Sequence, residues 1–238
     1  RSVRITGAGL LLQERGKRLV ADLEQLERQV RLAAAGHLGR LAVGFVGIAT
    51  HMGLPAVLRS FSRSEPEVDL HLEELPSPAL LEQVRSGRLD LGYVRGIEPP
   101  AGGLSSRAFA SEPYVLAVPE GHPLQGRKVV ALEDLDRQAL LFFPRGFSPP
   151  IHDALLRAFH DASVRPRLVQ EARSLQAEMA LVAAGIGACL VARSAASQPR
   201  EGVSFLPLAP GLPPVSVFEV WQPESGNEVL ERFLRASG

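Results

Sequence analysis

Short apolar runs alternate with amphipathic segments along the first half of this 238-residue chain, and this alternation restricts the fold more than any other feature. Residues 41–46, 68–74 and 89–94 have the patterns of strands, whereas residues 54–61 and 78–86 have the spacing of short helices. Strands and helices that alternate in this way form a parallel sheet with helices on its faces. The sequence therefore predicts an α/β fold.

The same alternation returns in the second half of the chain. Strands are predicted at 114–118, 140–143, 167–170, 187–191, 203–206 and 215–221, and helices at 151–161, 175–184 and 227–236. Loops rich in Gly and Pro lie at 96–103 and 207–214, and the second has the character of a crossing back; we therefore expect two α/β halves joined by two crossings. Because ligands of open α/β sheets bind at the carboxyl ends of strands, we expect a ligand cleft between the halves.

A long amphipathic helix is predicted before the α/β part. An a/d seam runs over three heptads and stops at Ala35–Gly36; its members are Leu12, Leu19, Leu23, Leu26, Val30 and Ala33. Such a helix is marginal alone in water, so we expect it to pack on a second copy or on another domain. The alternative is that residues 1–38 form the first core helix of a globular domain. Because the chain opens in mid-motif without a Met, we expect a piece of a longer protein.

Composition restricts the function classes. Lys plus Arg and Asp plus Glu both number 26, so the chain lacks the basic surplus that nucleic-acid binding requires. The single cysteine, Cys189, lies in an apolar run and is expected to be a buried, inert thiol, in keeping with a reducing compartment. Neither an apolar stretch of membrane-spanning length nor a signal peptide occurs, so we expect a cytoplasmic protein without membrane contact.

The residue patterns of common enzymes and metal sites are missing. The chain has no GxSxG elbow, no GxxxxGK[ST] loop and no GxGxxG motif after a strand. Its six histidines are far apart and form no HxH or HxxxH pair; they are His37, His51, His71, His122, His152 and His160. We therefore expect no catalytic residues, no metal and no cofactor.

Three loops at the predicted cleft carry residue types that bind anions. Gly47–Thr50 follows the first strand, Ser77 begins the second helix, and 145–150 precedes the helix at Ile151. Backbone N–H groups at helix N-termini favour anions, here at two helices predicted to begin near Met52 and Ile151. Each loop also has a structural interpretation: Thr50 and Ser77 as N-caps, Arg145 as a solvated charge and Phe147 as a lid over the core.

A series of motifs along the whole chain resembles those of LysR-type transcriptional regulators. The motifs are Val3–Gly9, Gly39–Phe45, Leu54-Pro55, Phe61 with Pro66, Gly87–Gly92, Glu112–Tyr114, His122–Leu124 and Val182–Gly187. The resemblance implies two Rossmann-like subdomains, folded as in type 2 periplasmic binding proteins and preceded by a long dimerisation helix. Residues 1–38 would be the end of a winged helix-turn-helix and the linker helix. Residues 39–111 and 209–238 would form effector-binding subdomain I, and residues 112–208 subdomain II.

The resemblance also implies partners. These are a small-molecule effector, DNA through a winged helix-turn-helix that mostly precedes Arg1, and RNA polymerase. Self-association would give a dimer through residues 8–35 and a tetramer in the full-length protein.

Two segments, Gly44–Gly47 and Leu141–Pro144, are most similar to the corresponding segments of regulators that respond to benzoate or muconate. In that subgroup a hydroxyl contacts the effector where this chain has Ile48, so a larger or more apolar acid is an alternative. Arg95 matches an arginine near a secondary effector site. The resemblance and the loops together give the candidate effector-binding residues Gly47, Ile48, Ala49, Thr50, Ser77, Arg145, Phe147, Ser148, Pro149, Pro150 and Ile151.

The preferred function is a regulatory domain that senses a small carboxylate, aromatic or derived from an aromatic compound. A solute-binding protein of a transport system would share the fold, but it would need an export signal and have no use for the N-terminal helix. An enzyme of the same two-lobed architecture would need a catalytic set that the sequence lacks.

Overall fold

Two five-stranded sheets form the body of the computed structural model, which describes residues 6–34 and 39–237. The strands are β1 (Arg40–Phe45), β2 (Asp69–Glu74), β3 (Leu91–Gly96), β4 (Ser105–Glu112), β5 (Tyr114–Pro119), β6 (Ala139–Phe142), β7 (Arg167–Glu171), β8 (Ala188–Ala192), β9 (Val203–Pro207) and β10 (Val215–Trp221). The helices are α1 (Gly7–Ala34), α2 (Leu54–Ser64), α3 (Ser77–Arg85), α4 (Pro149–Asp161), α5 (Leu175–Ala183) and α6 (Glu228–Ala236). The α/β fold with two halves is confirmed.

The first sheet has the strand order β2-β1-β3-β10-β4. β1 lies parallel to β2 and β3, as predicted, with Leu41 beside Leu70 in the β1–β2 register. β10 comes from the end of the chain and runs antiparallel between β3 and β4. The sheet is therefore mixed rather than purely parallel, and β4 is a strand that the sequence did not predict.

The second sheet repeats this plan in the order β7-β6-β8-β5-β9. β6 is parallel to β7 and β8, whereas β5 is antiparallel to β8 and β9. The strand that enters each sheet from the other half, β5 or β10, is the antiparallel one. Two crossings thus join the halves, one between β4 and β5 and one between β9 and β10.

Helices cover both sheets with apolar side chains. In the first half, the rings of Phe61 of α2 and Phe233 of α6 pack edge to face, with their centroids 4.8 Å apart. In the second half, Ile151, Leu155 and Phe159 of α4 enter one buried cluster, while Met179 and Val182 of α5 enter another. Because burial of each large side chain contributes roughly 1.5–3 kcal/mol, these contacts hold the helices against the sheets.

The seam of α1 lies outside this core. The described seam side chains remain 56% to 74% exposed; they are Leu12, Leu19, Leu23, Leu26 and Val30. The alternative of a first core helix is therefore wrong. The predicted helix end at Ala35–Gly36, the side chain of Ala33 and residues 1–5 lie outside the described residues. No helix in the described part of the chain combines the length and apolar character that crossing a membrane requires.

The helix starts lie close to the sequence prediction. α2 begins at Leu54, as its apolar spacing predicts, and α4 begins at Pro149 rather than Ile151. α3 includes Ser77 itself, and its N-cap position is Pro76. A proline lies in the first turn of each helix, where its fixed φ suits helix initiation. Ser77 is therefore not an N-cap.

Candidate functional site

A cavity of about 640 Å³ lies between the two halves, where β1, β3, β6 and β8 end. This is the position at which open α/β sheets bind ligands. Residues at and after these strand ends line it together with the start of α5. Six of the sequence-predicted residues contribute to its wall: Gly47, Ile48, Thr50, Arg95, Phe147 and Ser148.

The turn after β1 is a single 3₁₀ turn, Gly47–Thr50. The Thr50 hydroxyl donates to the Gly47 carbonyl oxygen at 2.6 Å, which closes the turn on itself. A Cβ at residue 47 would lie 2.6 Å from a carboxylate oxygen of Glu74, the end of an exposed side chain that can move aside. The turn and Glu74 meet at the edge of the cavity.

Arg95, near the end of β3, is held through its backbone by residues that begin two helices. Its N–H donates to the Ser77 hydroxyl at 3.0 Å, and its carbonyl accepts from the Ser148 hydroxyl at 3.2 Å. Both serines are buried. Since Ser148 precedes α4 of the second half, the second bond connects the two halves. The serine hydroxyls are thus used to position Arg95.

The Arg95 guanidinium lies in the cavity wall on an aromatic surface. It donates to the Tyr114 hydroxyl at 2.5 Å and lies 4.7 Å from the centre of the Phe143 ring. Its Nε is buried, and neither this atom nor the guanidinium as a whole has a further hydrogen-bond or ion-pair partner in the described part of the chain. A buried donor without a partner costs about 1–3 kcal/mol, so an acceptor in the cavity would be favoured.

An acid and a thiol lie beside this guanidinium. Glu178 of α5 is part of the wall, and burial raises its pKa to about 7, opposed by the Arg95 charge and by a hydrogen bond with Cys189. Burial and the nearby Glu178 also raise the pKa of the Cys189 thiol, so this cysteine stays protonated at neutral pH. Cys189 is buried, as predicted.

His51 follows the 3₁₀ turn and also lines the cavity. Its Nδ1 is buried without a hydrogen-bond partner in the described residues. Burial lowers the pKa of His51, and the charge of Glu112 raises it by less. The Glu112 carboxylate itself accepts from the Ser194 N–H at 2.9 Å and from the Ser194 hydroxyl at 2.6 Å. His51 is therefore a neutral polar group beside the first crossing.

The other sequence-predicted residues lie outside the cavity wall: Ala49, Ser77, Arg145, Pro149, Pro150 and Ile151. Ala49 and Ile151 are fully buried in the two cores. Arg145 makes a two-point ion pair with Asp153, with N–O distances of 2.8 and 2.7 Å, and its side chain is 63% exposed. The structure thus supports the interpretation of Arg145 as a surface charge.

Sequence reasoning missed several residues of the wall. Four of them are His51, Tyr114, Phe143 and Glu178. Glu178 offered a signal, because it is the one charged residue of the otherwise apolar or neutral helix α5. Arg95 was expected at a separate secondary site but lines the same cavity as Ile48 and Thr50. Among the residues that the structure describes, no group of His, Cys, Asp or Glu is placed to hold a metal ion.

Two α/β halves, two crossings and a polar cavity between them define a two-lobed ligand-binding domain. The family model of the LysR substrate binding domain matches residues 34–237. The chain belongs to this family.

Relatives with known roles agree with this assignment. The chain is 32% identical over 240 residues to the HTH-type transcriptional regulator XapR of Escherichia coli (strain K12), covering 99% of this chain and 79% of XapR. It is 31% identical over 197 residues to the HTH-type transcriptional regulator AlsR of Bacillus subtilis (strain 168), covering 82% of this chain and 64% of AlsR. The chain therefore spans about two thirds to four fifths of these regulators.

Solved structures share the fold. Full-length CbnR, a structure of which is complexed with its target DNA, matches with a TM-score of 0.76 and 26% identity over 100% of this chain and 82% of that chain. The effector-binding domain of BenM, with its effector benzoate, matches with a TM-score of 0.75 and 24% identity over 84% of this chain and 90% of that chain. The resemblance seen in the sequence is thus confirmed at the level of family and fold.

Proposed function

We propose that this chain is the ligand-sensing part of a LysR-type transcriptional regulator and binds a carboxylate-bearing, aromatic small molecule between its two halves. Binding controls how a winged helix-turn-helix, most of which would precede Arg1, acts on DNA and transcription. The observation that carries the proposal is the Arg95 guanidinium, which lies in the cavity wall with a buried Nε that has no partner among the described residues.

The cavity supports this ligand class by charge and by shape. A guanidinium binds carboxylates through paired N–H donors, and the Arg95 side chain lies in the wall of the cavity. Phe143 and Phe147 provide apolar surface for a ring, and Ile48 extends it. Benzoate, the effector named for BenM, combines both features and is a suitable first probe.

Calorimetric titration of benzoate tests the proposal. Benzoate should bind and benzamide, its neutral analogue, should not, because charge-assisted hydrogen bonds contribute about 1.5–3 kcal/mol. Arg95→Gln should weaken benzoate binding by about ten- to a hundredfold. Arg145→Gln is the matched control, since it removes an exposed arginine outside the wall, and it should leave the affinity unchanged. Equal binding of benzoate by Arg95→Gln and the parent chain would contradict the proposal.

Self-association is part of the proposed function. The exposed seam of α1 favours a dimer through residues 8–35, and we extend this to a tetramer in the full-length protein. The alternative, a solute-binding protein of a transport system, has the same two-lobed fold but gives this helix no role. The α1 seam and the regulator relatives favour the regulator.

A further inference from the structure

Glu178 places a second charged group in the same part of the cavity as Arg95. It lies in the first turn of α5, whose N-cap is the Ser174 hydroxyl, and it faces groups from three strands. These are Arg95 of β3, Tyr114 of β5 and Cys189 of β8. Glu178 is half-buried, and its carboxyl lies in the cavity wall near one cation, one hydroxyl and one thiol.

Arg95 and Glu178 interact electrostatically without forming an ion pair. Within the described residues, no carboxylate oxygen lies within 4.0 Å of the Arg95 nitrogens, yet the Arg95 charge acts on Glu178. Glu178 is thus the acid that balances the guanidinium when the cavity holds no anion. An anion at Arg95 would take over this role and would place a second negative charge beside Glu178. Two negative charges in one desolvated wall raise the pKa of the weaker acid.

We propose that an anionic ligand enters this cavity together with one proton, which the Glu178 carboxylate takes up from solvent. This inference rests on the proposed function and specifies the protonation state of the site that the ligand binds. The site takes an acid anion at Arg95 and presents a neutral carboxyl group at Glu178, which can donate a hydrogen bond to the ligand. No covalent bond changes; one solvent proton moves to a Glu178 oxygen.

The other titratable groups of the wall behave differently between pH 6 and 8. Burial raises the pKa of Tyr114 and of Cys189, so both stay protonated in this range. Burial lowers the pKa of His51, which favours its neutral form in this range. Arg173, Arg200 and Glu74 also line the cavity, and all three side chains are exposed. Glu178, with a pKa of about 7, therefore changes charge in this window.

Calorimetric titration with benzoate, in two buffers of different ionisation enthalpy, measures the affinity and the proton change together. Linkage to one group of pKa about 7 predicts that Kd rises about tenfold from pH 6 to pH 8. Proton uptake per benzoate bound should be about 0.1 at pH 6 and about 0.9 at pH 8. Glu178→Gln should bind as well as the parent chain at pH 6 and should lose both the pH dependence and the uptake.

Two controls separate Glu178 from its neighbours. Glu74→Gln removes another carboxylate of the same cavity and should keep the full pH dependence. His51→Gln should also keep it; loss of proton uptake in this variant would assign the proton to the histidine and overturn the inference. As a check that needs no variant, ¹³C NMR of the Glu178 carboxyl should show its midpoint moving to higher pH when benzoate is added.

The outcomes also separate this inference from the proposed function. Benzoate binding that depends on Arg95 but not on pH would overturn the proton uptake and leave the sensing function standing. Proton release would overturn it as well, because it would mean that a ligand stabilises ionised Glu178. No benzoate binding at pH 6 or pH 8 would contradict the proposed function and this inference together.

Discussion

At the scale of single residues, Ser77 acts through Arg95 rather than through a ligand. Its hydroxyl is the acceptor for the Arg95 N–H, and the serine is 4% exposed. Ser77→Ala would leave a buried N–H without its partner, which costs about 1–3 kcal/mol. We therefore expect a lower free energy of unfolding in urea, even without ligand.

Ser64→Ala is the matched control for this prediction. Ser64 is an exposed helix serine whose hydroxyl donates to a backbone carbonyl within the same helix, so its loss should change the stability by less than about 0.5 kcal/mol. If Ser77→Ala unfolded at the same urea concentration as Ser64→Ala, the Ser77 hydroxyl would not hold β3.

Glu178 gives a pH prediction for the ligand-free protein. Its folded pKa, about 7, lies above the ordinary value of 4.5, so the folded state binds the proton more tightly than the unfolded state. The free energy of unfolding should therefore fall as the pH rises from about 4.5 to 7 and level off above that. The Glu178→Gln variant lacks this loss of stability at high pH. Its free energy of unfolding, relative to that of the parent chain, should therefore be about 2 kcal/mol higher at pH 8 than at pH 5.

Urea unfolding at pH 5 and pH 8 measures this difference. Glu74→Gln again serves as the control, because Glu74 is an exposed carboxyl of the same cavity. A Glu178→Gln variant with the same relative stability at both pH values would show that Glu178 is solvated in the folded protein.

At the scale of elements, the sequence predicted where strands lie along the chain more reliably than which strands pair with each other in a sheet. β1, β2 and β3 were predicted because their apolar residues alternate or run together between helix signals. β10 was predicted over its exact range, but periodicity carries no information on strand direction or on its place between β3 and β4. β4 was missed because Ser105–Glu112 mixes small, charged and apolar residues on a half-buried surface.

The candidate site was predictable where it depends on local loops and not where it depends on distant residues. The turn after β1 and the loop before α4 follow from strand, Gly and Pro signals, and both reach the cavity. Glu178 becomes a neighbour of Arg95 only through the pairing of β5 and β8 in the second sheet and the packing of the two halves. Single-sequence patterns do not contain such long-range contacts.

The exposed seam of α1 yields an element-scale prediction. Replacing Leu19 and Leu26 by Glu would place charges between paired helices, which costs several kcal/mol. The mass measured by light scattering should therefore fall to that of the monomer. Lys17→Glu changes the net charge by the same amount at an exposed position outside the seam and should keep the parent mass. An unchanged mass in the double variant would mean that the seam has no partner helix.

At the scale of the whole molecule, the two halves are joined by their crossings and by the hydrogen bond from Ser148 to Arg95. A ligand at Arg95 would touch both halves at once, since Ile48 belongs to the first and Phe147 to the second. Ligand binding energy can therefore change the relative position of the halves, provided that the ligand prefers one arrangement. This links the cavity to the helix-turn-helix of the proposed regulator.

The balanced charge of the chain sets how it should interact with DNA. Affinity for DNA comes largely from contacts of Lys and Arg with phosphates, and this chain has 26 basic and 26 acidic residues. Its residues 34–237 match the LysR substrate binding domain rather than a helix-turn-helix. At about 0.15 M salt the Debye screening length is about 8 Å, so charges further apart than this interact weakly. In fluorescence anisotropy under these conditions, the chain should bind DNA duplexes weakly and without sequence preference. Lowering the salt concentration should raise the affinity for duplexes of unrelated sequence by the same factor. Sub-micromolar binding to one sequence over a scrambled duplex would show that the chain itself carries the DNA-reading surface.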